Sequence, residues 1–176
     1  MRLLIVCLLL FALQPVAFAA ELFGVALVGA DKASLGLAAR AAGATLVDTD
    51  QPEVYEIFDS SAVLAESNRL YLGFDAQDSS FAFAEYQILQ MKHKRMLSKL
   101  KRKYGEPQVT PGKFISDQLY RWQSNGVEIS YQRQWGCHCS ELRYVVPAKL
   151  TLIQQQHQQV QKQRMEEGLA KQQGSY

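Results

Sequence analysis

A two-residue turn constrains the fold of this chain more than any other feature. Residues 119–123 and 127–135 both alternate between apolar and polar side chains, and Ser124-Asn125-Gly126 separates them. Asn-Gly is the strongest short-range signal for a β-hairpin, because both residues tolerate the positive φ of a type I′ turn. Alternation with a period of two places every second side chain on one face of a strand. The sequence therefore predicts an antiparallel sheet in this half of the chain.

The hairpin extends into a third strand and is preceded by a helix. Leu142, Tyr144 and Val146 continue the alternation until Pro147. Before the hairpin, residues 90–104 carry apolar side chains at helical spacing, and the Gly105 position is typical of a helix end. The predicted apolar stripe of this helix is Met96, Leu97, Leu100 and Tyr104.

The first half of the chain repeats this order of elements. A helix over 32–42 is predicted, with Asp31 as its N-cap, followed by short strands. The strands are expected at 23–28 before the helix and at 45–47, 54–58, 69–74 and 81–88. Phe81, Phe83 and Glu85 are expected on one face of the last of these. The fold class that follows is α+β, with antiparallel sheet packed by two or three helices. Two helix-plus-meander units are one arrangement that fits it.

The first nineteen residues are predicted to be a cleaved export signal rather than part of the fold. Arg2 precedes an unbroken apolar run over 3–13, and Ala17-Phe18-Ala19 has the small-x-small pattern of a cleavage site. The run is about half the roughly 20 residues that span a bilayer as a helix. We therefore expect a mature chain from Ala20, periplasmic or secreted, with no transmembrane segment.

The remaining 157 residues suit one domain, and their charge is unevenly distributed. We expect a single α+β domain over 20–150, with halves at 20–88 and 89–150, and a glutamine-rich helix or tail over 151–176. Residues 20–88 carry a net charge of −8, whereas residues 89–176 carry +9. Such asymmetry can mark a surface for a polyanion, although two halves that pack together would partly neutralise each other.

Part of the chain resembles a known group of proteins. The segment Lys103-Tyr104-Gly105-Glu106-Pro107, the strand with Trp122, the Asn-Gly turn and the closing Leu142-Arg143-Tyr144 are similar to uncharacterised small periplasmic proteins of proteobacteria. The resemblance covers roughly residues 88–150 and rests on fold-forming residues. It implies a periplasmic location and carries no functional residue over to this chain.

Sequence motifs of catalysis are absent, and one segment holds a local cluster of reactive groups. The chain has no phosphate loop, nucleophile elbow, His-Glu-x-x-His or Cys-x-x-Cys motif, so no catalytic residue and no cofactor is predicted. Cys137, His138 and Cys139 lie together in the loop before the last strand. In an oxidising compartment, Cys137 and Cys139 could form a disulfide. Alternatively, the three side chains could bind copper or zinc, or the two thiols could take part in redox exchange.

The helix over 90–104 presents the strongest charged surface. We call its basic residues the basic face: Lys92, Lys94, Arg95, Lys99, Lys101, Arg102 and Lys103. This face could contact an envelope protein or an anionic envelope component, whereas nucleic acid does not fit an exported chain. The leading hypothesis from sequence is an exported, non-enzymatic interaction or envelope-associated protein. The alternative is a thiol-redox or copper- or zinc-handling protein that uses Cys137, His138 and Cys139.

Overall fold

The computed structural model describes residues 19–47, 55–65, 67–89, 93–114, 117–134 and 139–152, together with short helical stretches between 154 and 166. Within these residues the fold is α+β with a large antiparallel sheet, as the sequence predicts. The elements in chain order are β1 (Glu21–Leu22), β2 (Val25–Ala26), α1 (Lys32–Ala41), β3 (Thr45–Val47), β4 (Tyr55–Asp59), β5 (Ser67–Phe74), β6 (Phe81–Leu89), α2 (His93–Tyr104), β7 (Gln108–Thr110), β8 (Leu119–Ser124), β9 (Val127–Gln134) and β10 (Cys139–Val145). A third helix, α3, begins at residue 147 and is described through 152.

The eight strands β3 to β10 form one sheet in the order β3-β4-β5-β6-β10-β9-β8-β7. The first four strands follow α1 and the last four follow α2, so each half of the chain contributes a helix and then four neighbouring strands. The halves meet where β6 pairs with β10, with Tyr86 opposite Leu142. Every pair in this sheet is antiparallel.

The Asn-Gly turn forms as predicted. Asn125 has φ 48° and Gly126 has φ 79°, and Ser124 pairs with Val127 across the turn. Both residues therefore adopt the left-handed conformation that a type I′ turn requires. The turn sets the register of the whole second half, because a shift of one residue would expose the buried Trp122 and Ile129.

The strand predicted over 23–28 forms only in part, as the two-residue strand β2. Phe23 and Gly24 both have positive φ, of 54° and 78°, and they form a tight turn between β1 and β2. The apolar content of this segment serves packing instead, since Leu22 and Leu27 are buried in the main core. A short apolar run does not by itself distinguish a strand from a folded-back hairpin.

Because of a β-bulge, the side chains of β6 do not share faces in the way the sequence predicts. Gly73 pairs with Phe83 while Phe74 pairs with Phe81, so Ala82 is an extra residue in the ladder. An extra residue reverses the alternation at that point. Phe81 is therefore buried in the main core, whereas Phe83 and Glu85 lie on the opposite face of the sheet.

Both predicted helices form, and each buries one stripe. The Asp31 side chain caps α1 by accepting a hydrogen bond from the backbone N–H of Ser34. The Ser34 side chain accepts one from the backbone N–H of Asp31, which completes a capping box. Leu35 and Ala39 of α1 are buried; Ala42, predicted on the same stripe, is exposed. In α2, Met96 and Leu100 are buried, whereas Leu97 and Tyr104 are partly buried.

One core joins the two halves. It brings Leu35 of α1 and Leu100 of α2 together with the inward side chains of β4 to β6 and β8 to β10, among them Phe58, Leu72 and Tyr131. None of the helices in the described part of the chain is long and apolar enough to cross a membrane.

Candidate functional site

The sheet has one face that neither α1 nor α2 covers, and we call it the open face. Its side chains alternate along each strand with those of the main core. The strand registers place the following residues on the open face: Thr45, Val47, Tyr55, Ile57, Asp59, Arg69, Tyr71, Gly73, Phe83, Glu85, Gln87, Leu89, Cys139, Glu141, Arg143, Val145, Glu128, Ser130, Gln132, Gln134, Leu119, Arg121, Gln123, Gln108 and Thr110. Most of these side chains are partly exposed.

The first half of the open face is aromatic. The rings of Tyr55 and Tyr71 meet edge to face, with centroids 5.9 Å apart. Phe83 lies across Gly73, and a Cβ atom at that glycine would overlap its ring. Ile57 pairs with Tyr71 beside them and is also only partly buried. This half therefore presents an apolar surface of the kind that is common where proteins bind partners.

An ion-pair cluster lies where the two halves of the open face meet. The Arg143 Nε atom lies 3.2 Å from a carboxylate oxygen of Glu85 and 3.3 Å from one of Glu141. Burial raises the pKa of Glu85, and the neighbouring Glu141 raises it further, whereas Arg143 lowers it. Two carboxylates thus lie beside one guanidinium at the centre of the face, although the buried Arg143 Nε has no hydrogen-bond partner of good geometry within the described residues.

The second half of the open face is polar. Glu128 accepts a hydrogen bond from Gln123 (3.3 Å) and lies 3.6 Å from the Nε of Arg121. Gln134 donates to Glu141 at 2.9 Å. Amide and carboxylate groups alternate across β8, β9 and β10, and the signs of charge are mixed. A surface of this kind fits the polar part of a folded protein better than a polyanion.

The basic face of α2 is partly committed to internal pairs. Lys101 lies 2.6 Å from Glu106, and Lys103 lies 3.8 Å from Glu21. Four of its other members, Lys94, Arg95, Lys99 and Arg102, are exposed. They form no ion pair within the described residues, while Lys92 lies outside them. The use of the basic face as an interaction surface stays a prediction.

Two of the three residues in the cysteine-histidine cluster, Cys137 and His138, lie outside the described residues. Cys139 is described: it begins β10, is 4% exposed and is a disulfide-bonded cysteine. No group of three or more histidine, cysteine or acidic side chains in the described residues could hold a metal ion. The pairing of Cys137 with Cys139 and the copper or zinc site remain predictions.

His93, the one histidine within the described residues, lies on the helix side of the sheet and has a lowered pKa. His93 stacks on Tyr131 with ring centroids 4.9 Å apart and lies 5.7 Å from Tyr120. Its Nδ1 is buried without a hydrogen-bond partner in the described residues. Burial lowers the pKa of His93, and Arg133 lowers it further. Burial and Arg133 thus both favour the neutral form of a ring that packs against Tyr131.

Sequence reasoning did not identify the open face, although three of its residues carry a recognisable sequence signal. Tyr55, Ile57 and Tyr71 are apolar or aromatic at strand positions that alternate with the core, where solvated strands usually carry polar residues. The strand spacing of the aromatic residues at 81, 83, 86, 122, 131, 135 and 144 predicts that their side chains lie in the core. That assignment is correct for Phe81, Tyr86, Trp122, Tyr131 and Tyr144, and wrong for Phe83; Trp135 lies outside the described residues.

Comparison with known proteins adds no assignment, since no family model, curated protein or solved structure matches the chain.

Proposed function

We propose that this chain is an exported protein that binds a partner protein through the open face of its sheet. The observation that carries the proposal is the aromatic half of that face, where Tyr55, Tyr71 and Phe83 are partly exposed on a sheet whose other face holds the main core. Aromatic side chains give large contact area at low entropic cost, and they are enriched at the centres of protein interfaces.

The chemistry of the open face also favours a protein over other partners. Its apolar half adjoins a polar half of mixed charge, which supports a central apolar contact surrounded by hydrogen bonds. A membrane surface or a polyanion would instead favour a face of uniform positive charge.

The export signal at residues 1–19 supports a periplasmic or secreted location for this interaction. Ala20, the first residue of the proposed mature chain, is also the first buried residue of the described structure. Intact-mass measurement of the exported protein tests the cleavage: a chain that starts at Ala20 is expected, and a retained N-terminus would contradict the location. We also propose that the two halves are degenerate copies of one helix-plus-meander unit, as their matching order of elements suggests.

The interaction is tested by comparing two variants that add the same charge to opposite layers of the molecule. Tyr71→Arg places a cation in the aromatic half of the open face, where Glu85 lies opposite and can accommodate it. Leu37→Arg places the same side chain at a position of α1 that is 69% exposed. Crosslinking pull-downs from envelope extract should lose their specific partner with Tyr71→Arg and retain it with Leu37→Arg. Equal recovery with both folded variants would refute the open face as the binding surface.

A further inference from the structure

The turn between β8 and β9 combines an exposed asparagine with an accessible backbone nitrogen. Asn125 is exposed, and it is followed by Gly126, which has no side chain to shield its own backbone nitrogen. A Cβ atom at Gly126 would meet nothing within 4 Å, so the space around this residue is open. The hydrogen bonds that close a two-residue turn join the flanking residues, here Ser124 and Val127. The Gly126 N–H is therefore not one of the groups that close the turn.

The other asparagine of the chain, Asn68, lies in the opposite surroundings. It is followed by Arg69, whose side chain crowds the backbone nitrogen, and it is only partly exposed. Its Oδ1 atom is buried. Arg69 pairs with Asp59 of β4 on one side and with Gln87 of β6 on the other, so its backbone is fixed inside the sheet. The chain thus holds one accessible and one protected asparagine.

We propose that Asn125 is a site of spontaneous deamidation, which produces aspartate and isoaspartate at the tip of this hairpin. The backbone nitrogen of Gly126 attacks the side-chain amide carbon of Asn125, and the new carbon–nitrogen bond closes an imide ring. The side-chain nitrogen leaves as ammonia and takes the proton of the Gly126 N–H. One water molecule then opens the ring. Opening at the side-chain carbonyl gives aspartate with a normal backbone, whereas opening at the backbone carbonyl leaves the chain running through the side chain, as isoaspartate.

The two products should affect the fold differently. Asp-Gly also suits a type I′ turn, so aspartate keeps the hairpin and adds one negative charge. Isoaspartate adds a carbon atom to the backbone within a turn whose length sets the strand register. The pair beyond the turn on the open face is Gln123 with Glu128, joined by a hydrogen bond of 3.3 Å, and the buried Trp122 and Ile129 pair next to it. Isoaspartate should therefore loosen this end of the sheet. The inference does not depend on the open-face proposal.

Peptide mapping of the folded chain tests the reaction, because the two asparagines fall in different tryptic peptides. Asn125 lies in peptide 122–133 and Asn68 lies in peptide 41–69. During incubation at mildly alkaline pH, peptide 122–133 should gain the mass that replaces an amide NH2 by OH, and fragment ions should place the gain at residue 125. Peptide 41–69 should stay unchanged. Asn125→Gly is the matched control, since Gly-Gly keeps the type I′ turn without the amide, and its peptide should show no gain.

The two products are then separated and compared. An endoproteinase that cuts before aspartate but not before isoaspartate distinguishes them. The isoaspartate form should have a lower thermal midpoint than Asn125→Asp, which carries the same charge on a normal backbone. The proposal would be overturned if peptide 122–133 changed only in urea, because the folded turn would then protect its asparagine, or if Asn68 reacted as fast as Asn125. An isoaspartate form as stable as Asn125→Asp would refute the expected effect on the fold.

Discussion

At the scale of single residues, Gly73 and Phe83 show how the open face acquires its aromatic half. The side chain missing at Gly73 leaves room for the Phe83 ring to lie across β5, beside the bulge at Ala82. An aromatic ring over a strand glycine compensates for the packing that the glycine lacks. The same arrangement holds the ring at the surface, where it remains partly exposed.

This packing makes Gly73→Ala a specific test. The added Cβ would overlap the Phe83 ring, so the ring must move, and we expect a loss of about 1–3 kcal/mol in the free energy of unfolding. In a Phe83→Ala background the same substitution should cost much less, because the overlapping ring is gone. Urea unfolding of the four chains in this double-mutant cycle measures the coupling. Additive effects would show that the two residues are not in conflict.

His93 provides a second test at this scale. Its pKa is lowered first by burial and then by Arg133, so the folded chain favours the neutral ring. The unfolded chain takes up a proton as the pH falls through about 6.5, before the folded chain does. The contribution of His93 to the free energy of unfolding is therefore complete above about pH 6.5. It declines as the pH falls from about 6.5 towards the pKa of His93 in the folded chain.

NMR titration of the His93 ring should give a pKa below 6.5 in the parent chain. Arg133→Gln should raise it part of the way back, since one of its two causes is removed. Arg121→Gln removes the same charge on the open face and should leave the His93 titration unchanged. A His93 pKa that does not respond to Arg133→Gln would remove the electrostatic part of the explanation.

At the scale of elements, α2 combines a buried stripe with the basic face. Met96 and Leu100 hold the helix on the sheet, while Lys101 and Lys103 pair with Glu106 and Glu21. Removal of these two lysines would disturb internal pairs as well as any external contact. The exposed cations Lys94, Lys99 and Arg102 give a cleaner test.

Charge reversal of Lys94, Lys99 and Arg102 to Glu should leave the thermal midpoint almost unchanged, because exposed substitutions rarely affect stability strongly. Binding of the parent chain to vesicles that contain anionic lipid should fall in the triple variant and in high salt. Arg69→Glu, an exposed reversal on β5, is the control and should bind as the parent chain does. If the parent chain shows no preference for anionic over zwitterionic vesicles, the basic face is an ordinary solvated surface.

The sequence predicted those elements whose signals are local. The Asn125-Gly126 turn, the Asp31 cap and the stripe of α2 each depend on neighbouring residues, and all three form as expected. The tight turn at Phe23 was missed because a positive φ at a bulky residue has no clear sequence signal. The bulge at Ala82 depends on pairing with β5, so alternation within β6 alone could not reveal it.

At the scale of the whole molecule, the open face follows from how the halves are joined. The open face lies across the β6–β10 junction, and the two strands of that junction are far apart in sequence. The sequence indicated two similar halves, but it could not specify which strands would become neighbours. The predicted residues of the basic face were local to one helix, whereas the open face gathers side chains from strands of both halves.

A shared core across this junction should make the two halves unfold together. Leu142 of β10 is 3% exposed and lies opposite Tyr86 of β6 on one side and Tyr131 of β9 on the other. Leu142→Ala removes packing at the centre of that core and should cost about 2–5 kcal/mol. Leu46→Ala, on the edge strand β3 at a position that is 43% exposed, should cost less than about 1 kcal/mol.

The measurement must report on each half separately. Tryptophan fluorescence follows the second half, which contains both Trp122 and Trp135, whereas far-ultraviolet circular dichroism follows the whole chain. Both signals should show one urea transition with the same midpoint in the parent chain, and Leu142→Ala should shift both midpoints equally. Hydrogen exchange of peptides from β5 and from β9 should then give the same opening free energy. If the peptide from β5 stays protected in Leu142→Ala while the peptide from β9 exchanges, the halves fold as separate units, and the shared core does not couple them.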